Sequence, residues 1–327
     1  MTSRMPEPSE SIPAFLRDLY ERAGPIIRYR IQRDVLGRDL SHIAVAQMAK
    51  DVAALPMAQE LLTTQRSTGL WKNFLQTYES LQRLCELGLE EHDAVTRCRD
   101  GILFPTLLRE DALWEFEALA QSDAERRAAR QAVRDMTLHL LCRSRREEDL
   151  LLKSHLERVL AEWGYYVSTG PHRKWNGAAI PTIYAWPAVA CYPWSNEEFE
   201  RVREVALKLD AFIEKRQPAP PEGTPEVLAA IALRDVDKDV FLSQPWQLFY
   251  SLEMAARLGM VRNLSWARWM LNEMEAHEDS DGFFRFDSRP PDDPLYFFPI
   301  EETDPARYEI EYTFHAHHIY KLLAYDF

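Results

Sequence analysis

"TYESLQRLCELGL" runs from Thr77 to Leu89 and "LFYSLEMAARLGM" from Leu248 to Met260, and laid over one another they decide how this chain folds. Tyr78 meets Phe249, Ser80 meets Ser251, Leu81 meets Leu252, and Leu87-Gly88 meets Leu258-Gly259. Each segment reads as a helix with apolar residues nearly all round, closed by a glycine able to take positive φ. "SHLERVLAEWGYY" (Ser154 to Tyr166) follows the same plan, with Trp163-Gly164 in the Leu-Gly slot. "TFHAHHIYKLLAY" (Thr313 to Tyr325) fits more loosely and lacks the glycine. A helix that is apolar on every side has to be covered on every side. A ring of such helices inside a second ring of amphipathic ones meets that demand.

Helical periodicity recurs along the rest of the chain, and strand alternation rarely lasts. "SIPAFLRDLYERAG" offers Ser11 as N-cap, Pro13 in the first turn and Gly24 as stop. "IIRYRIQRDVLG" sets Ile27, Ile31 and Leu36 along one side and ends at Gly37. The Arg- and Glu-rich run "DAERRAARQAVRDMTLHLLCRSRREED" reads as a long helix with a solvated outer face. "RQPAPPEGTP" (Arg216 to Pro225) and "SRPPDDPLYFFPIEETDP" (Ser288 to Pro305) are extended loops without the shift of composition that marks a domain linker. Residues 1–10 are expected to be a disordered tail and residues 11–327 a single domain.

Composition narrows the classes of function. At 327 residues the chain is two domains or one large closed architecture. A formal net charge of -13 argues against binding a phosphate backbone, so no nucleic-acid partner is expected. Cys85, Cys98, Cys142 and Cys191 are scattered, which fits a reducing cytoplasm better than a disulfide framework. The start shows no apolar signal region. The uncharged run from Gly177 to Trp194 is broken by Pro181, Pro187 and Pro193, and reads as a buried wall, with a shallow membrane-surface patch as the alternative.

Ahead of the first helix of the pair stands "LLTTQRSTGLW", where Gln65, Gly69 and Trp71 have the spacing Q-x-x-x-G-x-W. Together with the Tyr78 to Gly88 helix, these residues resemble the QW-type repeat of the squalene cyclase and prenyltransferase superfamily. In that family the motif joins an outer helix to an inner one, the glutamine capping backbone, the glycine permitting the turn and the tryptophan stacking over it. A degraded copy stands at "EDSDGFF", with Glu278, Gly282 and Phe284 in the three slots. "GPIIRYRIQRDVLGRD" is similar to stand-alone bacterial prenyltransferase-like members. The resemblance implies an α/α toroid and is specific over residues 26–103 and 246–286.

The family's chemistry transfers poorly. Its cyclases use D-x-D-D, whose middle aspartate must be a neutral acid in an apolar pocket. Here "RDVDKDVF" gives Asp235, Asp237 and Asp239, with Lys238 holding the neighbouring carboxylates ionised; the plain alternative is a solvated helix entry. The zinc ligands of protein prenyltransferases would fall on Val240 and Leu242, which cannot bind metal. Glu311, His315 and His318 share one helical face and could bind a divalent metal, act as an acid–base set or line a wet cavity; the cavity lining is favoured and no metal is assigned. Tyr78, Tyr184, Trp186, Trp246 and Tyr250 are candidates for a pocket around a small hydrophobic molecule, the expected partner, through cation–π attraction.

Three readings follow. The first is an isoprenoid- or terpenoid-handling toroid with proton-initiated chemistry. The second is a non-catalytic toroid that binds a small molecule or a protein partner. The third, weaker reading is a carbohydrate-active α/α barrel, with carboxylates such as Asp281 and Asp287 flanking a glycosidic bond.

Overall fold

The computed structural model describes residues 12–109, 111–118, 122–144, 149–169, 182, 184–215, 245–286 and 308–324. Asp235, Asp237, Asp239, Asp287, the expected tail and both extended loops lie outside these residues. The described helices are α1 (Ala14–Arg22), α2 (Pro25–Arg30, prolonged by a π-helical turn over Ile31–Val35), α3 (Ile43–Ala53) and α4 (Pro56–Thr64). Next come α5 (Phe74–Glu86), α6 (Asp93–Cys98, prolonged by a π-helical turn over Arg99–Leu103), α7 (Phe104–Arg109) and α8 (Asp123–Ser144). The remainder are α9 (Leu150–Thr169), α10 (Ala185–Cys191), α11 (Asn196–Lys215), α12 (Pro245–Arg257), α13 (Ser265–Ala276) and α14 (Tyr308–Ala324). Among the described residues β pairing is limited to one bridge between Glu278 and Phe284. The fold class is all-α.

The two aligned segments end alike. In α5, Leu89 N–H donates to Leu84 O at 2.9 Å and Gly88 N–H to Cys85 O at 3.0 Å. In α12 the equivalent bonds run from Met260 to Ala255 O at 2.8 Å and from Gly259 to Ala256 O at 3.0 Å. Gly88 and Gly259 take φ of 81° and 60°, the left-handed conformation this closure requires. The third expected copy behaves differently. Gly164 lies inside α9, which continues to Thr169, so Trp163-Gly164 closes nothing. Nothing lies within 4 Å of a Cβ built on Gly164, so no close packing compels a glycine at that position.

The Q-x-x-x-G-x-W turn carries out its expected capping. Gln65 Nε2 donates to Gly69 O at 3.0 Å and to Ala94 O at 2.8 Å, joining the end of α4 to the start of α6. Trp71 is buried, and its Nε1 donates to Leu61 O at 2.8 Å. Arg66 N–H reaches Leu70 O at 2.8 Å, and Asp279 N–H reaches Phe283 O at 2.9 Å in the degraded copy. Trp71 N–H then donates to Thr77 Oγ1 at 3.0 Å, and Phe284 N–H to Thr313 Oγ1 at 2.9 Å. That last pair aligns α14 with α5 in the register expected from the loose copy at Thr313.

Gly69 and Gly282 both have positive φ, 92° and 80°, but differ in their surroundings. A Cβ at Gly69 would sit 2.6 Å from the Arg97 carbonyl oxygen, whereas nothing lies within 4 Å at Gly282. Gly282→Ala should therefore cost only the left-handed backbone penalty of about 1–2 kcal/mol. Gly69→Ala adds a clash with backbone and should cost at least about 1 kcal/mol more. Urea midpoints of the two variants check this, and equal losses would rule out the close approach at Gly69.

Burial divides the helices into two kinds. Six residues of the seven in α10 and ten of the seventeen in α14 are buried. In α3 only Val45 and Val52 are buried, and in α13 only Ala267, Met270 and Met274. The buried helices contact one another in succession: α5 packs on α8, α8 on α10, α10 on α12, α12 on α14, and α14 on α2 and its π-helical turn. Tyr29 of α2 donates through its hydroxyl to Gly88 O at 2.9 Å, returning to the end of α5. The expectation of a solvated face on α8 holds for its first half alone. Asp135, Thr137, His139 and Ser144 are buried, because the apolar residues of "MTLHLLC" pull the second half inward. Among the described residues no helix is long and apolar enough to cross a membrane.

Candidate functional site

Six helices bring their C-terminal ends to one place. Glu86 ends α5, Arg143 is the next-to-last residue of α8, Cys191 ends α10 and Arg257 ends α12. Lys321 lies in the last turn of α14, and Arg33 and Asp34 lie in the π-helical turn after α2. A cavity of about 360 Å³ opens there. Arg30, Arg33, Arg143, Arg257 and Lys321 line it, with Asp34, Glu90 and His318; Cys142, Cys191 and Pro193 form its softer wall. Five cationic side chains against two carboxylates make its surface electropositive in a chain that is acidic overall.

Two further carboxylates stand behind that surface. Arg30 Nη1 donates to Glu86 Oε2 at 3.1 Å and Arg30 Nε to Asp34 Oδ2 at 2.9 Å. Arg143 Nη2 meets the other oxygen of Glu86. Arg33 donates from Nη2 to Asp34 Oδ2 at 3.0 Å and from Nη1 to Glu90. Arg257 Nε donates to Glu253 Oε1 at 2.9 Å, one helical turn back. Lys321 Nζ donates to the Asp34 carbonyl at 2.7 Å, stitching α14 to the π-helical turn. That turn is widened by Leu36 N–H bonding to Ile31 O, and Gly37 ends it at a φ of 69°. The widened turn presents both Asp34 oxygens to two arginines.

The electrostatics follow from burial. Burial pushes the Asp34 carboxyl upward, but Arg33 and Arg30 outweigh it and hold the group well below the usual carboxylate range. Burial likewise raises Glu253, and Arg257 foremost, with Arg143, overcomes it, so this carboxylate also stays ionised. His318 is pulled down to about 4, by burial first and by Arg257 and Arg30 in addition, with Glu253 opposing. His315 falls well below its ordinary value through burial and then Arg30. Both imidazoles are neutral at pH 7, beside the ionised Asp34 and Glu253.

A buried ionic network of this size stabilises little compared with an apolar core of equal volume. Groups with strongly displaced pKa values around a cavity are where function concentrates. Arg30 also lies over the Phe314 ring, 4.7 Å from its centroid, a cation–π contact that helps to hold the guanidinium in place.

Of the residues anticipated from sequence, His318 lines this cavity, and His315 is buried one turn before it. Glu311 is buried on the same helix. Tyr78 is buried in the main core, where its hydroxyl meets His139 Nδ1 at 2.8 Å and its ring meets Tyr184 edge-on at 5.5 Å. Trp186 packs on Trp163 with centroids 4.8 Å apart. Tyr250 is half-buried on α12, and Trp246 lies in the first turn of that helix, its side chain outside the described set. Tyr78, Tyr184 and Trp186 pack against aromatic neighbours in the core, and with Tyr250 they lie outside the lining of this cavity. Asp281 is bound to Arg285, whose Nη2 donates to Oδ2 at 2.7 Å. Among the described residues no group of three His, Cys, Asp or Glu side chains could hold a metal ion.

Apart from His318, the charged residues that build the site are not singled out by the sequence reading, though the sequence carries a signal for them. Glu86 and Arg257 occupy equivalent places, each directly before the Leu-Gly closure of a helix otherwise apolar on most sides. A charge at that position has to be answered by another across the core. Compared with known proteins, the chain matches no family model, no curated protein and no solved structure.

Proposed function

We propose that the protein is an α/α toroid that holds a small, polar, negatively charged molecule in a cavity at the C-terminal end of its inner ring. The ring is α2, α5, α8, α10, α12 and α14; their neighbour-to-neighbour contacts and the common placement of their C-terminal ends support closure. α3, α9, α11 and α13 form part of the outer layer. The observation that carries the functional reading is the lining: four arginines and a lysine from four of the inner elements converge on one cavity. Arginine forks match the paired oxygens of carboxylate and phosphate groups, so the ligand is an oxyanion. Helix C-termini, which carry partial negative charge, absorb part of this cationic excess. Asp34, Glu86, Glu90 and Glu253 pair with the four arginines, so the five cations of the lining keep a formal excess of one positive charge for a ligand to answer.

The isoprenoid reading rests on the family resemblance, since the cavity wall is charged and Tyr78, Tyr184 and Trp186 are packed into core. Thermal unfolding of the full chain with sulfate, acetate, citrate, farnesol and squalene separates the two. Small oxyanions are expected to stabilise, by about 2.7 kcal/mol at a hundredfold excess over the dissociation constant. Stabilisation by farnesol or squalene without any by the oxyanions would overturn the proposal in favour of a hydrocarbon site.

A further inference from the structure

Building on the reading of this cavity as an oxyanion site, we propose that His318 is its proton acceptor. A bound oxyanion brings with it one proton from solvent, which settles on the imidazole and makes the ring a charged donor to the ligand. No bond other than that N–H forms, and the proton leaves with the anion.

Three observations converge on this residue. His318 lines the cavity yet is only 6% exposed. Its Nδ1 is fully buried and has no hydrogen-bond partner among the described residues. A buried polar atom left unsatisfied costs about 1–3 kcal/mol, so its retention at a cavity wall points to a ligand that completes it. The ring is also held in place, stacked over Phe314 on the preceding turn with planes 22° apart.

The charges around it set the direction of the effect. From α12 come Glu253 and Arg257, from α2 and its π-helical turn Arg30 and Asp34, and from its own helix His315. Arg143 faces the same cavity from α8, and Lys321 lies one turn further along α14. α1 also packs on α14, but its Arg22 pairs with Glu309 at the opposite end of that helix. Burial first, and the surrounding arginines in addition, keep the ring neutral at pH 7. An oxyanion among those arginines reverses the local potential and favours the imidazolium, which then donates a charge-assisted bond. Neutral alcohols and amides bring no charge to balance the proton, so His318 selects against them.

Isothermal titration of the full chain tests this with two probes. Sulfate, whose charge is constant near neutrality, represents phosphate-like oxyanions, and acetate represents carboxylates. Each is titrated at about pH 6 and about pH 8 in buffers of different ionisation enthalpy. Proton uptake approaching one per site is expected at the lower pH, with affinity tightening up to tenfold per unit of pH decrease. His318→Gln should abolish the uptake and the pH dependence, while Arg143→Gln weakens binding and leaves the uptake in place. Binding without uptake overturns the role of His318 and leaves the oxyanion site standing. Binding of neither probe overturns both, and uptake that persists in His318→Gln assigns the proton elsewhere. If that variant fails to fold, a flat affinity profile of the native protein across the same range is itself decisive against the proposal.

Discussion

Acidification from about pH 7 to about pH 4.5 is expected to remove most of the stability of this fold, well before the buried carboxylates Asp34 and Glu253 are protonated. His139, His315 and His318 are buried and neutral in the folded chain. Burial, reinforced by Arg143, pulls His139 down to about 3; burial, reinforced by Arg257, pulls His318 down to about 4; and His315 is held well below its usual range. In the unfolded chain each returns to an ordinary value of about 6.5. Between that value and the folded one, the unfolded state binds protons that the folded state refuses, so stability falls as pH falls. Each histidine contributes about 1.4 kcal/mol per pH unit, and three together over two units approach about 8 kcal/mol. That is comparable with the whole stability of an ordinary domain, about 5–15 kcal/mol.

The carboxylates act lower on the scale. Asp34 and Glu253 are held below the usual range, so their contribution is present above an ordinary carboxylate value and fades only as pH drops through their depressed ones. Loss between about pH 6.5 and about pH 4.5 therefore belongs to the histidines. Urea unfolding followed by circular dichroism at several pH values measures it, and a stability unchanged between about pH 7 and about pH 5 contradicts the neutral burial of all three. His139→Phe should flatten the curve, since among the described residues the hydrogen bond it surrenders is that with Tyr78.

How much of this could be read from residues alone depends on what each residue answers to. The Leu-Gly closures were legible because positive φ after a helix is a local demand, met by glycine within five residues. Gln65, Gly69 and Trp71 were legible for the same reason: their partners are Leu61, Gly69 and Ala94, most of them in the same turn. Gly164 misled because Trp-Gly looks like a closure, but nothing downstream forces the helix to stop. Arg143 reads as surface because a run of arginines usually is. Only the packing of α8 against α5 and α10 turns its final turns inward. Glu86 and Arg30 are separated by 56 positions and on different helices, and their pairing follows from the succession of contacts between the buried helices. The aromatic residues were noticed for their chemistry, whereas bulk and burial account for where Tyr78 and Trp186 sit.

Glu86→Gln is expected to cost about 3–5 kcal/mol, the range for breaking a buried ion pair and leaving its partners charged. Glu86 gives one oxygen to Arg30 of α2 and the other to Arg143 of α8, so a single carboxylate ties three elements together. Glutamine keeps the shape but presents one acceptor and one donor, and that donor must face a guanidinium. Arg30 retains Asp34, whereas Arg143 loses the carboxylate it is bonded to. A matched comparison is Glu157→Gln, which breaks a bond to Arg201 between half-exposed side chains and should cost under about 1 kcal/mol. If the two variants lose equal stability in urea, the network around Glu86 is solvated and the cavity is not the low-dielectric site described. The same substitution leaves Arg30 and Arg143 short of negative charge beside the cavity. Added sulfate should therefore restore more stability to Glu86→Gln than it gives the native protein, because the anion replaces the missing carboxylate. A gain no larger than native would separate the ion-pair network from the ligand site.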